Sequence, residues 1–80
     1  MPTFWATLMQ VFRAGIVLYN LGDLYRLQGN WQESYLYHQR AHESLKRAVG
    51  ETHLTTLRAE YKFALDMVEN KDAKYLPEAK

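Results

Sequence analysis

The sequence predicts an all-α fold of antiparallel helix pairs, and three observations carry that reading. Apolar residues recur at intervals of three and four along nearly the whole chain, and no stretch alternates long enough to make a strand. The pattern is interrupted at Gly29-Asn30 and again at Gly50, both turn signals. The connections left between the periodic segments are short, so consecutive helices must run antiparallel.

Residues 3–28 read as the first helix, either continuous or broken near Gly15. Residues 31–48 form the second. Ser34, His38, Ala41, Leu45 and Ala48 fall on one stripe of it, Lys46 and Arg47 suit the negative end of its dipole, and Gly50 stops it. A third helix is expected from about residue 53 to residue 70, with Leu54, Leu57, Tyr61, Ala64, Leu65 and Val68 as its apolar face and Thr52 or Thr55 as its cap. The polar run Glu69–Lys74 reads as a loop, and Pro77 suits the first turn of a fourth, truncated helix.

Two glycines lie close together in Asn20–Ser34, "NLGDLYRLQGNWQES". Gly22 sits inside a helix, where glycine costs about 1 kcal/mol relative to alanine. That cost is offset if the absent side chain lets a neighbouring helix approach, with Leu21 and Tyr25 flanking the contact. Gly29 stands at the turn, where a positive φ is needed.

Composition excludes several functions. With 80 residues there is room for one small domain, whose core is marginal on its own. There is no cysteine, so disulfides and thiolate zinc sites are ruled out and a reducing, cytoplasmic setting is expected. The formal charge is +1 with both signs interspersed, so no basic stripe points to nucleic acid, and the aromatics fall at core spacing rather than as a stacking platform. Residues 4–19 are apolar, but Gln10 and Arg13 interrupt them and no cation precedes Arg13, which fits neither a membrane span nor a signal peptide. An interface-facing helix is the reading preferred. The alternative is a small helical adaptor tethered to a membrane through residues 3–28.

Chemistry is not expected. His38 and His42 are spaced to share a metal, yet only His53 remains as a further histidine ligand, so no metal or other cofactor is predicted and His38 reads as a core residue. No nucleophile stands beside a base and no glycine pattern fits a phosphate loop, so the chain is read as a non-enzyme.

Leu21, Gly22 and Tyr25, the turn Gly29-Asn30-Trp31, and then Ser34, His38 and Ala41 resemble a tetratricopeptide repeat, a helix pair of about 34 residues. Asn20 and the stretch Gly50–Leu57 are similar to the longer, kinesin-light-chain-like variant. A period of 42 pairs Tyr19 with Tyr61, Leu21 with Phe63, Gly22 with Ala64 and Tyr25 with Met67. Three residues depart from the pattern: His38 for an aromatic, Leu54 for proline and Ala64 for glycine. The resemblance implies an N-terminal apolar segment over 1–14, a first repeat over 15–50 and a second, incomplete repeat over 51–80, together part of an α-solenoid.

The resemblance also implies a scaffold or adaptor that binds a protein or peptide partner in a concave groove. The first helix would supply Ile16, Tyr19, Asn20 and Asp23, with Arg26 or Leu27. The third would supply Arg58, Tyr61, Lys62 and Leu65, with Val68 or Glu69. Asn20, Arg58 and Lys62 form a set suited to an acidic or carboxylate-bearing peptide. Because one helix pair cannot bury its own apolar face, self-association or continuation into a longer repeat array is expected. Phe4, Trp5, Leu8, Met9 and Phe12 would cover the open end or form a dimer contact.

Overall fold

The helical spacing is realised as three helices in the computed structural model, which describes residues 2–75, with side chains for 3–70. They are α1 (Pro2–Leu27), α2 (Trp31–Val49) and α3 (Leu54–Tyr75). Helix α2 is the centre: α1 packs on one side of it and α3 on the other. Its buried side chains are Ser34, His38, Ala41 and Leu45, the stripe expected from spacing, while Ala48 is half-buried. Ala41, Leu45 and Ala59 form the core, with Phe12, Ile16, Leu18 and Tyr19 packed against it. Complete burial of Leu45 contributes about 1.5–3 kcal/mol.

Both glycine readings are explained by geometry. A Cβ on Gly22 would lie 2.5 Å from the His38 ring, and a Cβ on Gly15 would lie 2.8 Å from Leu45. Gly15 is therefore a second close approach, not a break, and α1 runs through it without interruption. Gly29 and Gly50 take positive φ values of 78° and 93°, which free the chain to leave each helix. At the start of α2, Asn30 Oδ1 accepts from the Glu33 N–H at 3.3 Å. The Gly50 N–H closes the other end on the Lys46 carbonyl.

Three expectations about α3 are corrected. Its cap is His53, whose Nδ1 accepts from the Thr55 N–H at 3.2 Å, in place of Thr52 or Thr55. The polar run Glu69–Lys74 is helical, since it holds no glycine or proline and Glu, Lys and Ala are good helix formers. The face toward α2 is Thr56, Ala59 and Asp66, all buried, with Phe63 stacked on Tyr35 at 5.1 Å. The apolar stripe of Leu54, Leu57, Tyr61 and Val68 instead faces outward and is exposed. The fourth helix expected at Pro77 lies outside the described residues.

Helix α1 is longer than α2, 26 residues against 19. Gly15 and Gly22 stand opposite Leu45 and His38, so the first turns of α1 pass beyond the end of α2. There Trp5, Leu8, Met9 and Phe12 meet Ala48, Val49 and His53 around a cavity of about 280 Å³. Phe4, Trp5 and Met9 stay exposed. No helix among the described residues is long and apolar enough to cross a membrane.

Gly22→Ala is expected to lower stability by on the order of 1 kcal/mol in urea titrations, because overpacking outweighs the gain in helix propensity. The penalty should vanish in a His38→Ala background, and a stabilised Gly22→Ala single variant would refute the close-packing role. Thr56 Oγ1 is buried with no partner among the described residues, so Thr56→Val should raise stability by about 1 kcal/mol. Unchanged or lower stability there would mean that the hydroxyl is satisfied.

Candidate functional site

Helices α1 and α3 flank α2 and leave a groove between them. Its cavity, about 190 Å³, is lined by Ile16, Tyr19 and Asn20 from α1, Leu45 from α2, and Thr55 and Arg58 from α3. The helical period sets this arrangement: Ile16, Tyr19 and Asn20 fall within one turn of α1, and Thr55 and Arg58 within one turn of α3. The floor is apolar, and the rim carries an amide, a hydroxyl and a guanidinium.

Below this cavity lies a charged network. The His38 ring, fully buried, has Nδ1 against the Asp66 carboxylate and Nε2 at 3.1 Å from Asp23 Oδ1. Ser34 Oγ is 3.3 Å from the same Nδ1. The Lys62 ammonium donates to Asp23 Oδ1 at 2.9 Å, and Arg26 Nη1 donates to Asp66 Oδ1 at 2.8 Å. Arg26 Nη1 also lies 2.6 Å from Glu69 Oε1. Burial works against the Arg26 guanidinium. The hydrogen bonds and charges of Asp66 and Glu69 outweigh it and hold Arg26 above its ordinary pKa. Tyr19 joins the two levels: it lines the cavity, meets the His38 ring edge-on at 5.5 Å, and lies 5.6 Å from the Lys62 ammonium.

The residues expected in the groove therefore divide. Ile16, Tyr19, Asn20 and Arg58 line the cavity together. Asp23 and Lys62 are brought together as an ion pair within the network. Tyr61 is exposed and Leu65 half-buried, and neither lines this cavity. Leu45 and Thr55 line it unforeseen, and Asp66, equally unforeseen, is buried in the network and not in the cavity. The available signal for Asp66 was its place on the stripe of Thr56, Ala59 and Phe63, where a carboxylate needs a partner from another helix. Among the described residues no group of three or more metal-type ligands converges, and His38 is engaged by Asp23 and Asp66.

A family model described as tetratricopeptide repeat matches residues 13–74. No curated protein and no solved structure matches the chain.

Removing one member of a buried charge network leaves its partners unpaired, which costs about 3–5 kcal/mol. Asp66→Ala is expected to lose that much in chemical denaturation, most of the stability of a domain this small. A loss below about 1 kcal/mol would show that Arg26 and His38 are satisfied without Asp66.

Proposed function

Because the chain belongs to the tetratricopeptide-repeat family, we propose that it is a non-catalytic interaction module that holds a peptide segment or partner helix in the groove between α1 and α3. Repeats of this family generally mediate protein–protein interactions. The observation that carries the reading is the cavity over Leu45, whose rim brings Asn20, Thr55 and Arg58 within reach of one ligand.

Charge accounting narrows the partner. Lys62 is held by Asp23, and Arg26 by Asp66 and Glu69. Arg58 has no anionic partner among the described residues and is exposed on the rim. The partner we infer is a peptide that seats one apolar side chain over Ile16, Tyr19 and Leu45 and turns a carboxylate to Arg58, with Asn20 bonding its backbone. Asp23, Lys62 and Leu65 extend the same site: the first two position Tyr19, and Leu65 widens the groove along α3, whereas Tyr61 lies on the outward stripe of that helix. This is the surface of an adaptor or scaffold. The exposed Phe4, Trp5 and Met9 at the start of α1 favour self-association or continued stacking at that end.

A displayed random-peptide library selected on the chain tests the proposal. Enriched peptides should share an acidic residue beside an apolar one, and Arg58→Glu with Asn20→Ala should weaken them by about tenfold or more, with helicity unchanged by circular dichroism. Peptides that bind the variant as well as the native chain would place recognition elsewhere.

A further inference from the structure

We infer that the overhanging start of α1 is a homodimer interface, where two copies cross antiparallel about a two-fold axis and Trp5 of each packs on Leu8 of the other. Along α1, Trp5, Leu8, Phe12, Gly15, Tyr19 and Gly22 recur at alternating intervals of three and four, the repeat of a coiled-coil seam. Helix α2 covers the second half of this seam, with Leu45 on Gly15 and His38 on Gly22. It then ends at Gly50, whose positive φ turns the chain away. The first half stays open: Phe4 is 60%, Trp5 64% and Met9 52% exposed. The tetratricopeptide-repeat match begins at residue 13 and does not account for these side chains.

The occupant of the open half has to be antiparallel to α1, as α2 is, and apolar where it meets Phe4, Trp5, Leu8 and Met9. The same stretch of a second copy meets both conditions. Residues 2–12 carry no charged side chain. Phe4 and Met9 flank the seam, at positions where coiled coils that pair by charge hold Glu and Lys. Two copies therefore bring no like charges together and leave no charge buried without a partner. The spacing repeats itself under a two-fold rotation, since Trp5 and Leu8 are the alternating seam positions and antiparallel helices set one opposite the other. The patch also holds both knob and hole. Trp5 stands open beside the cavity of about 280 Å³ bounded by Leu8, Met9, Phe12 and Val49. An apolar cavity of about 150 Å³ accepts a benzene ring, so the larger space has room for the indole of a second copy.

Size sets the strength of the dimer. With about 150–250 Å² to an aromatic side chain, the open parts of Phe4 and Trp5 remove roughly 400–600 Å² from water in the pair. Met9 and the edges of Leu8, Phe12 and Val49 bring the total toward the ~1,000 Å² that marks a specific interface. A dimer of that area is weak, with a dissociation constant on the order of 10 μM. A lipid surface is the less fitting occupant. Helices that lie on membranes carry Lys or Arg on the polar side, whereas the opposite side of this stretch is Thr3, Ala6, Thr7 and Gln10. The interface is separate from the peptide groove, which no residue of 2–12 lines. It gives the self-association proposed above one partner and one geometry.

Sedimentation equilibrium on the full chain tests the seam, with circular dichroism to show that helicity is kept. The native chain should dimerise in the micromolar range. Trp5→Glu or Leu8→Lys alone should weaken the dimer about tenfold or more. An equimolar mixture of the two should recover it, because one Glu then faces one Lys across the seam. The chain has no cysteine, so engineered disulfides report the geometry directly. Trp5→Cys mixed with Leu8→Cys should cross-link to each other faster than either does to itself. A native chain that stays monomeric at about 1 mM would overturn the proposal. So would a dimer untouched by Trp5→Glu, which would leave self-association standing but place it elsewhere. A mixture that recovers no dimer, or Trp5→Cys linking fastest to itself as in a parallel pair, would each overturn it too. Loss of the dimer to phosphatidylcholine–phosphatidylserine vesicles would do the same, since the occupant would then be lipid.

Discussion

The His38 ring, clamped between Asp23 of α1 and Asp66 of α3, is the contact on which the rest of this domain depends. It stands near the middle of the central helix, where side chains of all three helices meet through hydrogen bonds. The hydrophobic core beside it is small, with Ala41, Leu45 and Ala59 fully buried among the described residues, and apolar contact alone would let the outer helices slide. Two hydrogen bonds from one ring fix both in register. Gly22 makes this possible, because any larger residue would displace the ring from its carboxylates.

The network also shapes the candidate groove. Asp23 faces the groove and at the same time bonds His38 beneath it, so it ties Lys62 to the core. A cation that looks available on a helix face is thereby neutralised. Positive charge remains at Arg58, which lines the cavity and has no ion-pair partner among the described residues. The groove consequently sets an apolar floor beside the Arg58 guanidinium. Tyr19 lies over both levels, so disturbance of the buried ring reaches the groove through a single aromatic side chain.

Much of the fold was legible in the residues. Gly29-Asn30 and Gly50 punctuate the chain, and the stripe Ser34, His38, Ala41 and Leu45 is the buried face of α2. The reading of Glu69–Lys74 as a loop failed because polarity was taken for a helix stop, whereas helices end at residues with special backbone needs. The face of α3 was misread for a different reason. Its apolar stripe is the stronger one, but the side seated on α2 is built from Thr56, Ala59 and Asp66, small or charged residues that acquire their burial from neighbours. Of the candidate site, Ile16, Tyr19, Asn20 and Arg58 were identifiable by resemblance, whereas Leu45, Thr55 and the Asp66 clamp were not.

By itself the sequence determined three helices, their turns and their antiparallel order, because periodicity and backbone freedom are properties of neighbours along the chain. It also determined, through Leu21, Gly22 and Tyr25 and the turn after them, the family to which the helix pair belongs. Only the tertiary structure decided which carboxylate meets which cation, and which of two faces α3 turns inward. Those choices join residues far apart in the chain, such as His38 with Asp66, 28 positions away, and Arg26 with Asp66, 40 positions away. A charge on a helix carries no mark of its partner until another helix brings that partner within 3 Å, where desolvation and hydrogen bonding decide between them.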